Sequence, residues 1–149
     1  MEWRIKSFKD LDVETLYKII KLRVDVFIVE QNCPYHELDE LDYDAKHIYL
    51  EDDGEIIAYL RVLKPESKYK EASLGRVITK YRKKGYGLQL LNQGIFYVKT
   101  HYPSHNIRIE AQCYAQSFYE KVGFKQVSEP FDEDGIMHIE MLLNANELL

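Results

Sequence analysis

The stretch TKYRKKGYGLQLL, residues 79–91, places three cations, Arg82, Lys83 and Lys84, directly before Gly85 and Gly87. The amphipathic run that starts there has no Ser, Thr, Asp or Asn among residues 82–88 to cap a helix. A first helical turn leaves about four backbone N–H groups without partners, and the helix dipole makes that end positive. Glycines remove side chains that would keep a phosphate from the backbone, and the cations add full charge. The combination suits an anion, and a phosphate can take the place of the missing cap. A solvated basic turn that happens to contain glycines is the other reading, and a short glycine motif does not choose between them. Neither GxxxxGK(S/T) nor GxGxxG is present.

Other polar groups are less directive. Glu30, Glu37, Asp39, Glu40, Asp42 and Asp44 fall in a segment without Lys or Arg. That segment either steers a cationic amine or is a solvated acidic loop, and the glycine of a calcium-binding EF-hand is missing from it. Arg61 and Arg76 each lie inside apolar, strand-like runs. Buried arginines usually pair with carboxylates, so a structural pairing with the acidic segment is expected, with a ligand carboxylate as the alternative partner. His101 and His105 are separated by Pro103 and should not share a helical face as zinc ligands. Cys33 and Cys113 have neither disulfide-framework nor zinc spacing, and no metal site is expected.

The elements that must position these residues follow from periodicity. WRIKSF alternates as a first strand. Asp12 can cap a helix through residues 13–31, with Leu16, Ile19, Ile20 and Phe27 as its stripe, ending at Pro34. HELDELDYD reads as a loop, and HIYLEDDGEIIAYLRVLK as a hairpin turning at Asp53-Gly54. ASLGRVIT is a strand, then comes a helix from Gly85 to about His101, closed by Pro103. IRIEAQ is a strand, AQSFYEKVG a short helix stopped by Gly123, and FKQVSE and IMHIEML two last strands. The order β α β β β α β α β β predicts an α/β fold, a mixed sheet flanked by helices.

The chain has 149 residues, 46% hydrophobic and 30% charged, with a formal net charge of −5. This suits one soluble domain over residues 1–149 and opposes a nucleic-acid binder with a broad basic face. MEWRIKSF has no apolar core of the signal-peptide kind, and no window approaches the ~18 apolar residues of a membrane span. A cytoplasmic protein is expected, with no nucleic-acid or membrane partner, either a monomer or a homodimer.

Two segments together resemble a known family. RKKGYG matches the Q/R-x-x-G-x-G/A element of the GNAT superfamily of N-acetyltransferases, between a strand and a helix as that element should be. QCYAQSFYEKVGF is similar to its N-x-x-A-x-x-x-Y-x-x-x-G-F segment, with Ala115, Tyr119, Gly123 and Phe124 in place and Gln112 where Asn is usual. LRVDVFIVEQNCPYHELDELDYDAKH and PFDEDGIMHIEM look like the ElaA-like branch, so the resemblance spans nearly the whole chain.

The resemblance implies a mostly antiparallel sheet that splays into a V between its fourth and fifth strands, with acetyl-CoA in the opening. An amine of a small-molecule or peptide acceptor would attack the thioester directly. Backbone groups of Val77, Ile78 and Thr79 would pair with the pantetheine arm. Amides of Lys83, Lys84, Gly85, Tyr86, Gly87 and Leu88 would hold the pyrophosphate, with Arg82 opening the loop and Gln112 hydrogen-bonding the cofactor. Tyr119 would be the general acid: a phenol of pKa ~10 can protonate a leaving thiolate whose conjugate acid has a pKa of ~8.5. Candidates for the base are Glu30 at the end of the first helix, His47 opening a strand and Glu110 on the fifth strand, or a water relay without a single base. A CoA-binding sensor or interaction module without transferase activity is the alternative reading.

Overall fold

The computed structural model describes residues 1–147. Four strands, β1 (Glu2–Ser7), β2 (Lys46–Asp52), β3 (Glu55–Leu63) and β4 (Ser73–Thr79), form an antiparallel sheet in that order. A second sheet pairs β5 (Ile107–Gln112) and β6 (Lys125–Gln126) with opposite edges of β8 (Ile136–Leu143), and β7 (Phe131–Glu133) makes a hairpin with β8.

The sheets meet at one parallel bridge, Ala72 to Ile107, where Arg108 N–H donates to Ala72 O at 2.9 Å. Past it β4 and β5 separate, and the edge of β4 facing β5 carries no ladder. This is the V expected between the fourth and fifth strands.

Helix α1 (Val13–Val24) is capped as expected, with Thr15 N–H donating to Asp12 Oδ1 at 2.7 Å. The helix read through residue 31 then widens over Asp25–Glu30, where Gln31 N–H reaches Val26 O and Cys33 N–H reaches Ile28 O. These i to i−5 bonds insert an extra residue into the turn, a feature frequent at functional sites.

Helix α2 (Tyr86–His101) packs Leu90, Leu91 and Val98 into the main core with Leu60, Leu74, Ile109 and Met141. Gly94 allows that closeness, since a Cβ there would lie 3.1 Å from Leu74 Cδ2. On the other face Ile19 of α1 packs with Tyr49, Ile56 and Tyr59.

Two sequence expectations need correcting. FKQVSE supplies only a two-residue strand, because Ser128 Oγ accepts the Glu140 N–H at 2.9 Å where a ladder carbonyl would otherwise stand. PFDED, not read as a strand, contains β7, whose hairpin turns at Asp134 (φ 54°) and Gly135 (φ 84°). The same left-handed pair turns the β2–β3 hairpin at Asp53 (φ 51°) and Gly54 (φ 77°).

Candidate active site

Two cavities open into the V and meet. The first, about 770 Å³, runs between the end of α1 and β4 and is lined by Val77, Ile78, Thr79, Arg82, Gly87 and Phe118, among others. The second, about 310 Å³, lies between β4, β5, the β7–β8 hairpin and the loop after α1. Phe27, Gln31, Val77, Tyr114, Ala115 and Tyr119 line both. The widened turn after α1 places Phe27 and Gln31 at this junction.

The larger cavity ends at the basic loop. Lys83 (φ 62°) and Gly85 (φ 77°) are left-handed, and no side chain caps α2. The first-turn N–H groups are therefore open, as the sequence implied.

The loop residues are placed less uniformly than expected. Arg82 lines the cleft and pairs with Glu30 at 3.1 Å, whereas Lys83, Lys84, Gly85 and Leu88 are exposed outside its lining. The Tyr86 side chain packs on the core. A Cβ on Gly87 would come within 2.9 Å of the Phe118 ring. The space read as room for a phosphate at Gly87 is thus taken by an aromatic ring from α3 (Gln116–Glu120), while Gly85 keeps open space around it.

Tyr119 stands at the junction on α3. Its ring packs edge-on to Phe118 and Phe124, and its hydroxyl makes no hydrogen bond among the described residues. Burial, and to a lesser degree Tyr114, pushes its phenol up, so it stays protonated and able to donate at neutral pH.

The three base candidates separate in space. Glu110 lines the smaller cavity from β5. Glu30 lies on the larger cavity, tied to Arg82. His47 lines neither: it is 0% exposed, its Nδ1 is 2.7 Å from Tyr59 Oη and its Nε2 is 3.0 Å from the Asp42 carbonyl. A carbonyl only accepts, so Nε2 carries the proton and Nδ1 accepts from Tyr59. Burial pushes its pKa down and both nitrogens are occupied, which removes His47 as a base.

The acidic segment is only partly solvated: Glu30, Glu40 and Asp44 are exposed, whereas Glu37, Asp39 and Asp42 turn inward. Arg23, Arg61 and Arg76 meet Glu37, Asp39 and Asp42 in a largely buried network. Arg23 Nη1 donates to Asp42 Oδ1 at 2.7 Å and its Nε to Glu37 Oε1 at 3.0 Å. Arg61 grips Asp39 with both terminal nitrogens, at 2.8 and 2.6 Å. Arg76 bonds Glu37 through Nε and, at 2.8 Å, through Nη2 to its carbonyl. Arg76 sits where the β3–β4 register shifts, with φ 54°, a bulge that re-aims its side chain. Burial would raise the Asp39 and Asp42 carboxyls, but the arginines outweigh it and hold both below the usual range.

Arg23 was missed in the sequence, although it stands on the stripe of Ile19 and Phe27. Glu133 was also missed. It lines the smaller cavity together with Glu110, and burial and that neighbouring carboxylate push the Glu133 carboxyl up.

Gln112 lines the smaller cavity rather than the larger, and exchanges two amide hydrogen bonds of 3.2 Å with Gln31. Among the described residues no cluster of His, Cys, Asp or Glu is arranged to hold a metal, and no helix is long and apolar enough to cross a membrane.

Residues 9–145 match the profile of the acetyltransferase (GNAT) domain. The chain belongs to the GNAT superfamily. It is 37% identical to protein ElaA of Escherichia coli over 145 residues, 95% of each chain. The crystal structure of that ElaA superposes with a TM-score of 0.90, covering 97% of this chain and 100% of that one at 36% identity. An acyl-CoA N-acyltransferase from Pseudomonas aeruginosa superposes equally well, with a TM-score of 0.90 over 96% of this chain and 99% of that one at 35% identity. The ElaA-like branch of the superfamily is thus where this GNAT chain falls.

Proposed function

We propose that this GNAT protein transfers the acetyl group of acetyl-CoA to a primary amine of a small molecule or peptide by direct attack. The observation that carries the reading is the meeting of two cavities at Tyr119. One is bounded by an uncapped helix start and an unpaired strand edge, the other carries a carboxylate.

The residues fit the co-substrate. The β4 edge at Val77–Thr79 offers backbone groups to the amides of pantetheine, as an added strand would. The open N–H groups of the first turn of α2 receive the pyrophosphate, with Arg82 adding charge. Acetyl-CoA supplies an activated acyl group and a thiolate leaving group. Tyr119, kept protonated by burial, donates to that sulfur. Glu110 accepts the proton that an amine of pKa ~10.4 must lose. Glu30 instead steadies Arg82.

A CoA-binding module without transfer is the second reading, favoured by one observation: the Gln112 amide, where the superfamily has Asn, is committed to Gln31.

Thermal unfolding with acetyl-CoA against ATP tests the binding step. At a hundredfold excess over its dissociation constant a specific ligand stabilises by about 2.7 kcal/mol, or roughly 5–11 °C for a chain of this size. No shift with any CoA species would remove both readings. Thiol release on adding a panel of amines then separates them.

A further inference from the structure

Among the described residues two buried side-chain polar atoms have no hydrogen-bond partner, Arg61 Nε and Tyr69 Oη. Both residues line the smaller cavity. Buried polar groups are otherwise almost always satisfied, so two orphans on one cavity call for a ligand that meets them.

Arg61 is 2% exposed and its terminal nitrogens are committed to Asp39 and Asp42. Its Nε lies against Gly75, its register partner on β4, where an ideal Cβ would stand 3.9 Å away. The missing side chain leaves room there for a ligand atom. Arg23, Arg61 and Arg76 are matched in number by Glu37, Asp39 and Asp42. No positive charge is left over for a ligand carboxylate, and a neutral oxygen suits the remaining N–H.

Across the V, Glu110 and Glu133 both line the smaller cavity, and burial together with the neighbouring Glu110 carboxylate pushes the Glu133 carboxyl up. Lys68 Nζ is 3.7 Å from Glu110 and His138 Nε2 is 3.9 Å from Glu133. Tyr69 stands beside Glu110, burial and that carboxylate push its phenol up, and no partner meets its hydroxyl at hydrogen-bond geometry among the described residues. An ammonium has three N–H groups, enough for Glu110, Glu133 and the Tyr69 oxygen, and its charge would offset the repulsion between the two carboxylates. The Ala72–Ile107 bridge sets Gly75 and Glu110 level with each other, each three residues beyond it on diverging strands. At about 310 Å³ the cavity admits a compact molecule.

We infer that the acceptor is a compact primary amine with a neutral carbonyl on the adjoining carbon, as in an amino-acid amide or a peptide N-terminus. Its ammonium lies between Glu110 and Glu133, and its carbonyl accepts from Arg61 Nε. The inference deepens the acetyltransferase reading and rests on it for the fate of the amine, but the binding site can be tested without turnover.

Calorimetric titration of alaninamide, alanine and isopropylamine into the CoA-saturated protein compares one primary amine carrying, on its adjoining carbon, an amide, a carboxylate or only a methyl group. Alaninamide is expected to bind at least tenfold more tightly than either of the others. Glu133→Gln should weaken alaninamide at least tenfold while leaving acetyl-CoA binding unchanged. Gly75→Ala puts a methyl group before Arg61 Nε at ordinary contact distance, and should erase the preference for alaninamide over isopropylamine while sparing isopropylamine itself. Equal binding of the three ligands, tighter binding of alanine, or unchanged alaninamide binding by Glu133→Gln overturns the inference. If alaninamide binds as expected but no thiol is released from acetyl-CoA, the site stands and the transferase reading falls.

Discussion

Gly87→Ala tests why a glycine opens α2. The added Cβ would lie 2.9 Å from Cε1 and Cζ of Phe118 and 3.7 Å from Thr79 Cγ2. The first distance is about 0.6–1.1 Å short of the ~3.5–4.0 Å carbon–carbon optimum. The helix cannot retreat, because Leu90 and Leu91 one turn further on, and Gly94 two turns on, are packed against the sheet. The Phe118 ring can, because it lines the larger cavity and has open space beside it. The stability cost should therefore fall at the low end of overpacking, about 1 kcal/mol, or roughly 2–4 °C in Tm. The displaced ring would narrow the cleft, and CoA affinity should fall about tenfold, equivalent to ~1.4 kcal/mol. Differential scanning calorimetry and titration with CoA read the two effects. Phe118→Leu in the Gly87→Ala background should restore most of both. If the loss of affinity persists with the smaller side chain, residue 87 matters for phosphate approach and the packing argument is wrong; so it is if Gly87→Ala behaves like wild type.

Further outcomes follow from other parts of the site. Tyr119→Phe removes the proton donor at the cavity junction and should lower kcat about 10²-fold or more with CoA affinity little changed, as steady-state kinetics and titration would show. Arg23→Leu leaves Glu37 and Asp42 with one arginine fewer in a buried network, where loss of a partner costs about 3–5 kcal/mol; thermal unfolding should report a drop of roughly 6–20 °C. His47 is held neutral with its pKa lowered by burial, so the unfolded chain takes up a proton that the folded one refuses. Stability should then be complete above about pH 6.5 and decline as pH falls below it, with a further decline below ~3.9 as Asp39 and Asp42 lose their paired charge. Urea midpoints between pH 7.5 and 5 should show the first slope, and His47→Gln should flatten it.

The parts of this architecture legible in sequence were those set by local chemistry. Asp12 before an apolar stripe announced α1, and Asp53-Gly54 announced a hairpin. Asp134-Gly135 carries the same turn signal and was obscured by its short, acidic β7 partner, which has too few apolar residues to read as a strand. The pairing of Arg61 and Arg76 with acids could be anticipated because charges inside apolar strands need partners. Arg23 was equally visible on its stripe, but a helical arginine has solvent as a default and raises no alarm. The widened turn after α1 left no mark, since the apolar stripe continues through it and only hydrogen-bond offsets reveal the extra residue. Bringing Glu133 beside Glu110, or Phe118 against Gly87, depends on elements distant in sequence and appears only when the chain is folded.

Whether this protein acetylates amines is read most directly from thiol release from acetyl-CoA in the presence of a panel of primary amines, paired with mass detection of the acetylated product. Amine-dependent release with stoichiometric N-acetylation is expected, strongly reduced by Tyr119→Phe. Saturable binding of acetyl-CoA with no acetylated amine from any member of the panel would contradict it.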